Sequence, residues 1–199
     1  MTTIYFVRHA QPDFTVHDDA TRPLSNQGKE DCQKLIAFFH QIPIDLMFSS
    51  PFKRAYDTIW PLAQSRNTII TTIDDLRERK VSDTWLTDFP TFAYRQWQDF
   101  SFKLEHGESL AEVQSRSIRV MSTLLTDYSE KTLLIGTHGT ALSTIINYYD
   151  QKFGFAEFNA IKAMMPWIVK MSFDGNHCVN IESFTLNRNQ AFTTYAIFD

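Results

Sequence analysis

The sequence predicts an α/β three-layer sandwich: a mainly parallel central sheet, helices on both faces, and an antiparallel strand near the C-terminus. Three observations lead there. Apolar runs of strand length alternate with stretches of helical periodicity. The early runs are continuously apolar, as strands covered on both faces are, rather than alternating. Residues 167–185 then read as a hairpin, with arms Trp167–Phe173 and Cys178–Ile181 around an Asp174-Gly175-Asn176 turn.

Taken in order, residues 3–7 form the first strand. Ser25 opens a helix that puts Cys32, Leu35, Ile36 and Phe39 on one face. Asp45–Phe48 is the second strand. Ser50-Pro51 has the form of an N-cap followed by proline at the first helical position. Ala55, Ile59 and Leu62 are the inner face of that helix, which Pro61 is expected to kink or end. Thr68–Ile73 is the third strand. Residues 80–106, rich in Trp, Phe and acidic side chains, read as an irregular helical insertion in a single domain spanning 1–199. Ser109 and Glu112 form a capping box before Leu110, Val113, Met121, Leu124 and Leu125 at helical spacing. Thr132–Ile135 is the fourth strand. A helix follows His138-Gly139, with Leu142, Ile145 and Ile146 inward.

Composition narrows the function. A chain of 199 residues that is 43% hydrophobic, with 17 Phe, can build a sizeable core. The net charge of −4 lacks the basic excess of a general nucleic-acid binder, so an anionic ligand needs a local basic pocket. Two cysteines far apart, Cys32 and Cys178, are no disulfide framework. No signal-like segment precedes the first strand and no apolar run reaches membrane-spanning length, so a cytoplasmic location without membrane contact is the default expectation.

Four polar sites fall at the C-terminal ends of predicted strands, where open α/β sheets bind ligands. Arg8-His9 follows the first strand, Arg54 the second, Glu78 the third and His138 the fourth. Parallel strands would bring two guanidinium groups, two imidazoles and a carboxylate together. A phosphoryl group in flight spreads charge over three oxygens, which Arg forks match. Helix starts after Ser50 and Gly139 would add backbone N–H donors. A neutral imidazole is a competent nucleophile near neutral pH. A carboxyl group can protonate the departing oxygen and then deprotonate water. With arginines neutralising the charge, no metal and no cofactor is needed. Each histidine alone fits a structural role satisfied by a backbone carbonyl; the joint set argues for chemistry. Glu78 lies in a charged stretch, and Glu108 and Asp13 stand as other candidate acids. His17, His40, His106 and His177 have no motif around them.

Several blocks carry a family resemblance. Val7-Arg8-His9-Ala10 resembles the Arg-His-Gly signature of the histidine phosphatase superfamily, the phosphoglycerate mutase-like family. Ser49 through Ala55 resembles its Ser-Pro-x-x-Arg-Ala block, Leu76-Arg77-Glu78 its Leu-Arg-Glu block, Gly107-Glu108-Ser109 its Gly-Glu-Ser element, and Thr137-His138-Gly139 its second-histidine block. Pro23-Leu24-Ser25 with Gly28 resembles a family helix start. The resemblance runs from residue 4 to about 146. It implies that His9 attacks phosphorus and becomes phosphohistidine. Arg8, Arg54 and His138, with the Gly139 backbone, would hold the phosphoryl oxygens, and Glu78 would serve as acid and then base. The implied activity is metal-independent hydrolysis of a small phosphorylated metabolite, with phosphate or sulfate able to occupy the pocket and oligomers possible. The alternatives are a phosphoglycerate mutase and, more remotely, a non-catalytic module that binds phosphorylated ligands.

The sequence also departs from the family. Ala10 stands for the usual glycine, Gln11-Pro12-Asp13-Phe14 for the usual continuation of the signature, and Arg79 through Trp85 for the run after the acid. Those stretches line the substrate side in the family, so substrate identity transfers least. The aromatic cluster Phe89, Phe92, Tyr94, Trp97, Phe100 and Phe102 is expected to pack, with a roof over the site as the other option.

Overall fold

A computed structural model describes residues 1–186 and 191–194. Among them lie strands β1 (Thr2–Arg8), β2 (Leu46–Ser49), β3 (Ile70–Thr72), β4 (Thr132–Thr137), β5 (Trp167–Asp174), β6 (His177–Leu186) and β7 (Phe192–Thr194). The α-helices are α1 (Asn26–Phe39), α2 (Lys53–Ser65), α3 (Phe89–Gln98), α4 (Leu110–Asp127), α5 (Gly139–Tyr149) and α6 (Phe155–Ile161). The strands form one sheet in the order β3-β2-β4-β1-β5-β6-β7. The first four are mutually parallel, and β5, β6 and β7 run antiparallel to their neighbours. The α/β sandwich is therefore as expected, with β7 added antiparallel beyond the expected C-terminal hairpin.

Side-chain alternation divides the core between the two faces of the sheet. Ile4, Phe6, Phe48, Leu133, Ile135, Trp167 and Val169 face α4, α5 and α6. Tyr5, Val7, Met47, Leu134 and Ile168 face Leu35 and Phe39 of α1 and Ile59 and Leu62 of α2. Because both faces are covered, the strands read as continuous apolar runs. The chain leaves β1 toward one face and β4 toward the other, opening a crevice at the C-terminal ends of this adjacent pair. The pairing of Arg8 with Thr137 puts His9 and His138 side by side at its floor.

Several local expectations are corrected. Helix α2 starts at Lys53 with Phe52 in the cap position, so Ser50 is not its N-cap and Pro51 precedes it. Pro61 lies inside α2, which runs on to Ser65. The proline is only partly buried, while Ile59, Leu62 and Ala63 keep the inner face packed. The third strand shrinks to Ile70–Thr72, with a short 3-10 turn at Asp74–Leu76 after it. The capping box of Ser109 and Glu112 forms as read, with bonds of 2.8 and 3.2 Å. The hairpin turn contains Gly175 at φ +55, where a side chain would be strained.

Residues 80–106 contain α3. Two of its aromatic side chains pack on α6, Tyr94 on Phe155 at 5.0 Å and Trp97 on Phe158 at 5.4 Å between ring centroids, and Phe92 packs on Phe102 within the insertion at 5.9 Å. Cys32 and Cys178 are free thiols. Cys32 is buried, and burial pushes its thiol up to about 12, which keeps it protonated and inert. No helix among the described residues is long and apolar enough to cross a membrane.

Candidate active site

The site forms where β1 and β4 end. The His9 N–H donates to the Thr137 carbonyl at 3.0 Å, fixing the first residue after β1 against the end of β4. The His9 Nδ1 is 2.8 Å from the Ala10 carbonyl, which can only accept, so Nδ1 carries the proton and Nε2 keeps its lone pair. Ala10 is anchored in turn. Its N–H donates to Thr58 Oγ1 at 2.9 Å, and its Cβ packs with Leu24 and Cys32. That small apolar cluster accounts for alanine at this position. Gly28 lies so close to the Gln11 carbonyl that a Cβ would come within 2.2 Å, so the chain after His9 can seat only on a glycine there.

His138 is wholly buried, and its ring stands 5.4 Å from that of His9 at 62°. Its Nε2 is 2.7 Å from Ser50 Oγ, while its Nδ1 has no hydrogen-bond partner among the described residues. Phe52 packs edge-on against His138 at 5.4 Å and carries the Arg54 guanidinium over its own face at 5.4 Å.

The two arginines are held by different means. The Arg8 Nη1 donates to the Ile161 and Met164 carbonyls at 2.8 and 3.2 Å, and Nη2 to the Lys162 carbonyl at 3.0 Å. Arg8 thus closes the C-terminal end of α6, whose last carbonyls lack helical donors. Its Nε, buried and without a partner among the described residues, is the edge left over. The guanidinium also lies over the start of α5, where a Cβ on Gly139 would come within 3.0 Å of it. Both Nη atoms of Arg54 turn to Asp19, one to its carbonyl and the other to its carboxylate at 3.1 Å.

The Glu78 Oε2 accepts from the Thr140 N–H at 3.0 Å. Its Oε1 accepts from the Ala141 N–H at 3.2 Å and from the Arg79 N–H at 2.8 Å. At the helix start after Gly139, the Thr140 and Ala141 N–H groups are thus taken by a carboxylate, drawn by the same dipole that would favour a phosphate. Of the other candidate acids, Glu108 is tied to Arg116 by two bonds and to Arg77 and the Lys80 N–H by one each. Burial would raise its pKa, but those bonds hold it below the usual carboxylate value. Asp13 folds back onto Thr15. His40, His106 and His177 are exposed, and His17 stacks on Trp85 at 4.4 Å.

The structure thus brings Arg8, His9, Arg54, Glu78 and His138 to one crevice. It adds two neighbours outside the matched motif residues, of which sequence reasoning missed Asp19. Asp19 bridges Arg54 and Arg22, the latter at 3.1 Å. The Asp18-Asp19 pair in an otherwise motif-bearing loop was the available signal. Arg79 is buried with its Nη1 on Gln96 and its guanidinium against Phe89 and Phe92, and its Nε has no partner among the described residues. No group of three or more metal-ligating side chains occurs among the described residues.

Electrostatics set the protonation states. Burial, reinforced by Arg54 and Arg8, holds the His9 imidazolium well below its usual pKa, and burial with Arg54 does the same for His138. Both rings are neutral at neutral pH. Burial lowers Arg8 to about 10, so it stays charged there. An unprotonated Nε2 within the electrostatic reach of two guanidinium groups has the lone pair needed to attack an anionic electrophile whose charge the arginines offset.

Stability should record the same shifts. The folded pKa values lie below the unfolded ones, so the unfolded chain takes up protons first as pH falls past about 6.5. Stability present above that pH is then lost at about 1.4 kcal/mol per histidine per pH unit. Urea unfolding in phosphate-free buffer, compared between about pH 7.5 and about pH 5.5, should show a smaller loss in His9→Asn than in the native chain, by about 1.4 kcal/mol. Equal losses would mean that His9 titrates as if exposed.

Comparison with known proteins agrees with this fold. Phosphoserine phosphatase 1 of Hydrogenobacter thermophilus is 25% identical over 155 residues, covering 69% of this chain and 71% of its own length. The phosphoserine phosphatase of Entamoeba histolytica, solved with 3-phosphoglyceric acid, superposes with a TM-score of 0.77 at 17% identity, covering 96% of this chain and 100% of that one. A mycobacterial glucosyl-3-phosphoglycerate phosphatase superposes with a TM-score of 0.72 at 19% identity, covering 91% of this chain and 96% of that one. The family model of the histidine phosphatase superfamily (branch 1) matches residues 4–183, with all five crevice residues inside it. The chain belongs to the histidine phosphatase superfamily, branch 1.

Proposed function

We propose that the chain is a metal-independent phosphomonoesterase that hydrolyses small phosphate esters through a phosphohistidine on His9. The observation that carries the reading is the Nδ1–H bond to the Ala10 carbonyl in a buried, neutral ring. It leaves Nε2 as a lone pair beside Arg8 and Arg54. In the first step Nε2 attacks phosphorus and the P–O bond to the alcohol breaks. Arg54, the free Nε edge of Arg8 and His138 take the equatorial charge, and Glu78, protonated in the ester complex because the phosphate's negative charge disfavours its own, gives that proton to the leaving oxygen. In the second step water attacks the phosphohistidine, Glu78 takes the water's proton, and His9 and inorganic phosphate are released.

Asp19 is the group that phosphate must displace. Its carboxylate occupies the Nη edge of Arg54 that would face a phosphoryl oxygen, and burial raises its pKa despite Arg54. Removing that half-exposed charge should lower KM for a phosphate ester by about two- to five-fold, the range of an exposed ion pair. Initial rates of Asp19→Asn test this; a raised KM would mean that Asp19 builds the site rather than guarding it.

For the leaving group, the named relatives act on phosphoserine and on glucosyl-3-phosphoglycerate, both of which carry a carboxylate. Arg79, a buried cation next to Glu78, would complement such a group. The deciding experiment is a phosphate-release assay with EDTA present on p-nitrophenyl phosphate, phosphoserine, 3-phosphoglycerate and glucosyl-3-phosphoglycerate. Phosphate release is the expected result. Isomerisation of 3-phosphoglycerate without release would make the chain a mutase, and loss of activity in EDTA would end the metal-free reading.

A further inference from the structure

The group that has lost its expected duty is Ser50. With Phe52 capping α2 through its backbone alone, the Ser50 side chain is free to turn inward, and it is fully buried. A hydroxyl has one hydrogen and two lone pairs. The Phe52 N–H, 3.2 Å away, takes a lone pair. The only other bond of the hydroxyl among the described residues is with His138 Nε2, at 2.7 Å.

Two tautomers of His138 satisfy that distance. If Nε2 holds the proton, the Ser50 hydrogen is left without an acceptor in a buried site. The lone pair of Nδ1 would then face the place where an anion sits. If Nδ1 holds it, the Ser50 hydrogen bonds to Nε2 and every group here is satisfied except one N–H. That one is Nδ1, buried and without a partner among the described residues. The two nitrogens of an imidazole point to opposite sides of the ring, so anchoring Nε2 at the end of β2 turns Nδ1 away from Ser50. A buried donor left unmade costs free energy that a bound oxyanion would recover.

We propose that Ser50 is a positioning residue: its hydroxyl donates to Nε2 of His138 and fixes the Nδ1–H tautomer, so that Nδ1–H donates to a phosphoryl oxygen held at His9. Both rings then carry the same tautomer for opposite uses. His9, held by an acceptor at Nδ1, offers a lone pair; His138, held by a donor at Nε2, offers a hydrogen. The inference rests on the reading of His9 and His138 as one phosphoryl site.

The test is a long-range proton–nitrogen correlation spectrum of the full chain labelled with 15N-histidine, at neutral pH. The His138 signals are assigned by their loss in His138→Gln. The native chain should show Nδ1 protonated and Nε2 bare. Ser50→Ala should populate the Nε2–H form, and Ser50→Thr should restore the native pattern. In parallel, kcat of Ser50→Ala should fall about 10- to 100-fold with KM little changed, short of the roughly 10²- to 10³-fold cost of deleting an oxyanion donor outright. A protonated Nε2 in the native chain, or an unchanged tautomer in Ser50→Ala, overturns the proposal. Either result leaves the phosphohistidine reading standing if His9→Ala still abolishes turnover. Full turnover in His9→Ala would sink that reading whatever the tautomer.

Discussion

His9→Ala should abolish phosphate release, by roughly 10⁴- to 10⁶-fold as for loss of other enzymes' nucleophiles, and should leave no phosphoenzyme. Among the described residues no other side chain in the crevice is placed to take over the attack. The Nε2 of His138 is engaged by Ser50, and Cys32 is held as a buried thiol pushed up to about 12. The fold should survive the change. The ring is buried at 6% exposure, but among the described residues its side chain bonds only to the next residue's carbonyl. The Ala10 N–H keeps Thr58 and the His9 N–H keeps Thr137. Phosphohistidine survives alkali and is destroyed by acid, so an alkaline quench during turnover followed by intact-mass analysis reads the intermediate directly. A phosphorylated species that persists in His9→Ala would move the nucleophile elsewhere.

What the sequence made legible follows from where the information lies. The strands β1, β2 and β4 were readable because each is covered on both faces and so carries a continuous apolar run at its centre, a local property. Arg8, His9, Arg54, Glu78 and His138 were readable because each follows a strand and a parallel sheet gathers strand ends. The partners of those residues were not readable. That the Arg8 fork closes α6 depends on a contact 153 residues away, and that Glu78 caps α5 on one 62 residues away. Nothing in the periodicity of either segment encodes such a meeting. Ser50 was misread for a related reason. Ser-Pro before a helical pattern is a sound local signal for a cap, and only the arrival of His138 beside it gives the hydroxyl a better partner. Asp19 was passed over because acidic residues in a loop are usually solvated, and only the approach of Arg54 distinguishes it from Asp18, which bonds its own turn.

Glu78→Gln is the second large effect, and its interpretation needs the geometry. The substitution keeps the shape but turns one oxygen into an NH₂, which must face an N–H of Thr140 or Ala141 or abandon that contact. It also removes a negative charge from the start of α5. A stability loss of about 1–2 kcal/mol is expected on those grounds alone, as for a lost helix cap. Such a loss is blind to the substrate. General acid catalysis is not: its removal should cost alkyl phosphates such as phosphoserine about 10²- to 10⁴-fold in kcat, and p-nitrophenyl phosphate far less, since nitrophenolate departs without a proton. The ratio of the two losses therefore separates chemistry from folding, provided that thermal unfolding confirms the variant is native at the assay temperature. Similar losses on both substrates would assign the proton to another carboxyl group. Glu108 is then the poorer choice, because Arg116 and Arg77 hold it as a charged structural partner. Asp19 is the better one: burial favours its protonated form, and it already faces Arg54 across the same crevice as Glu78.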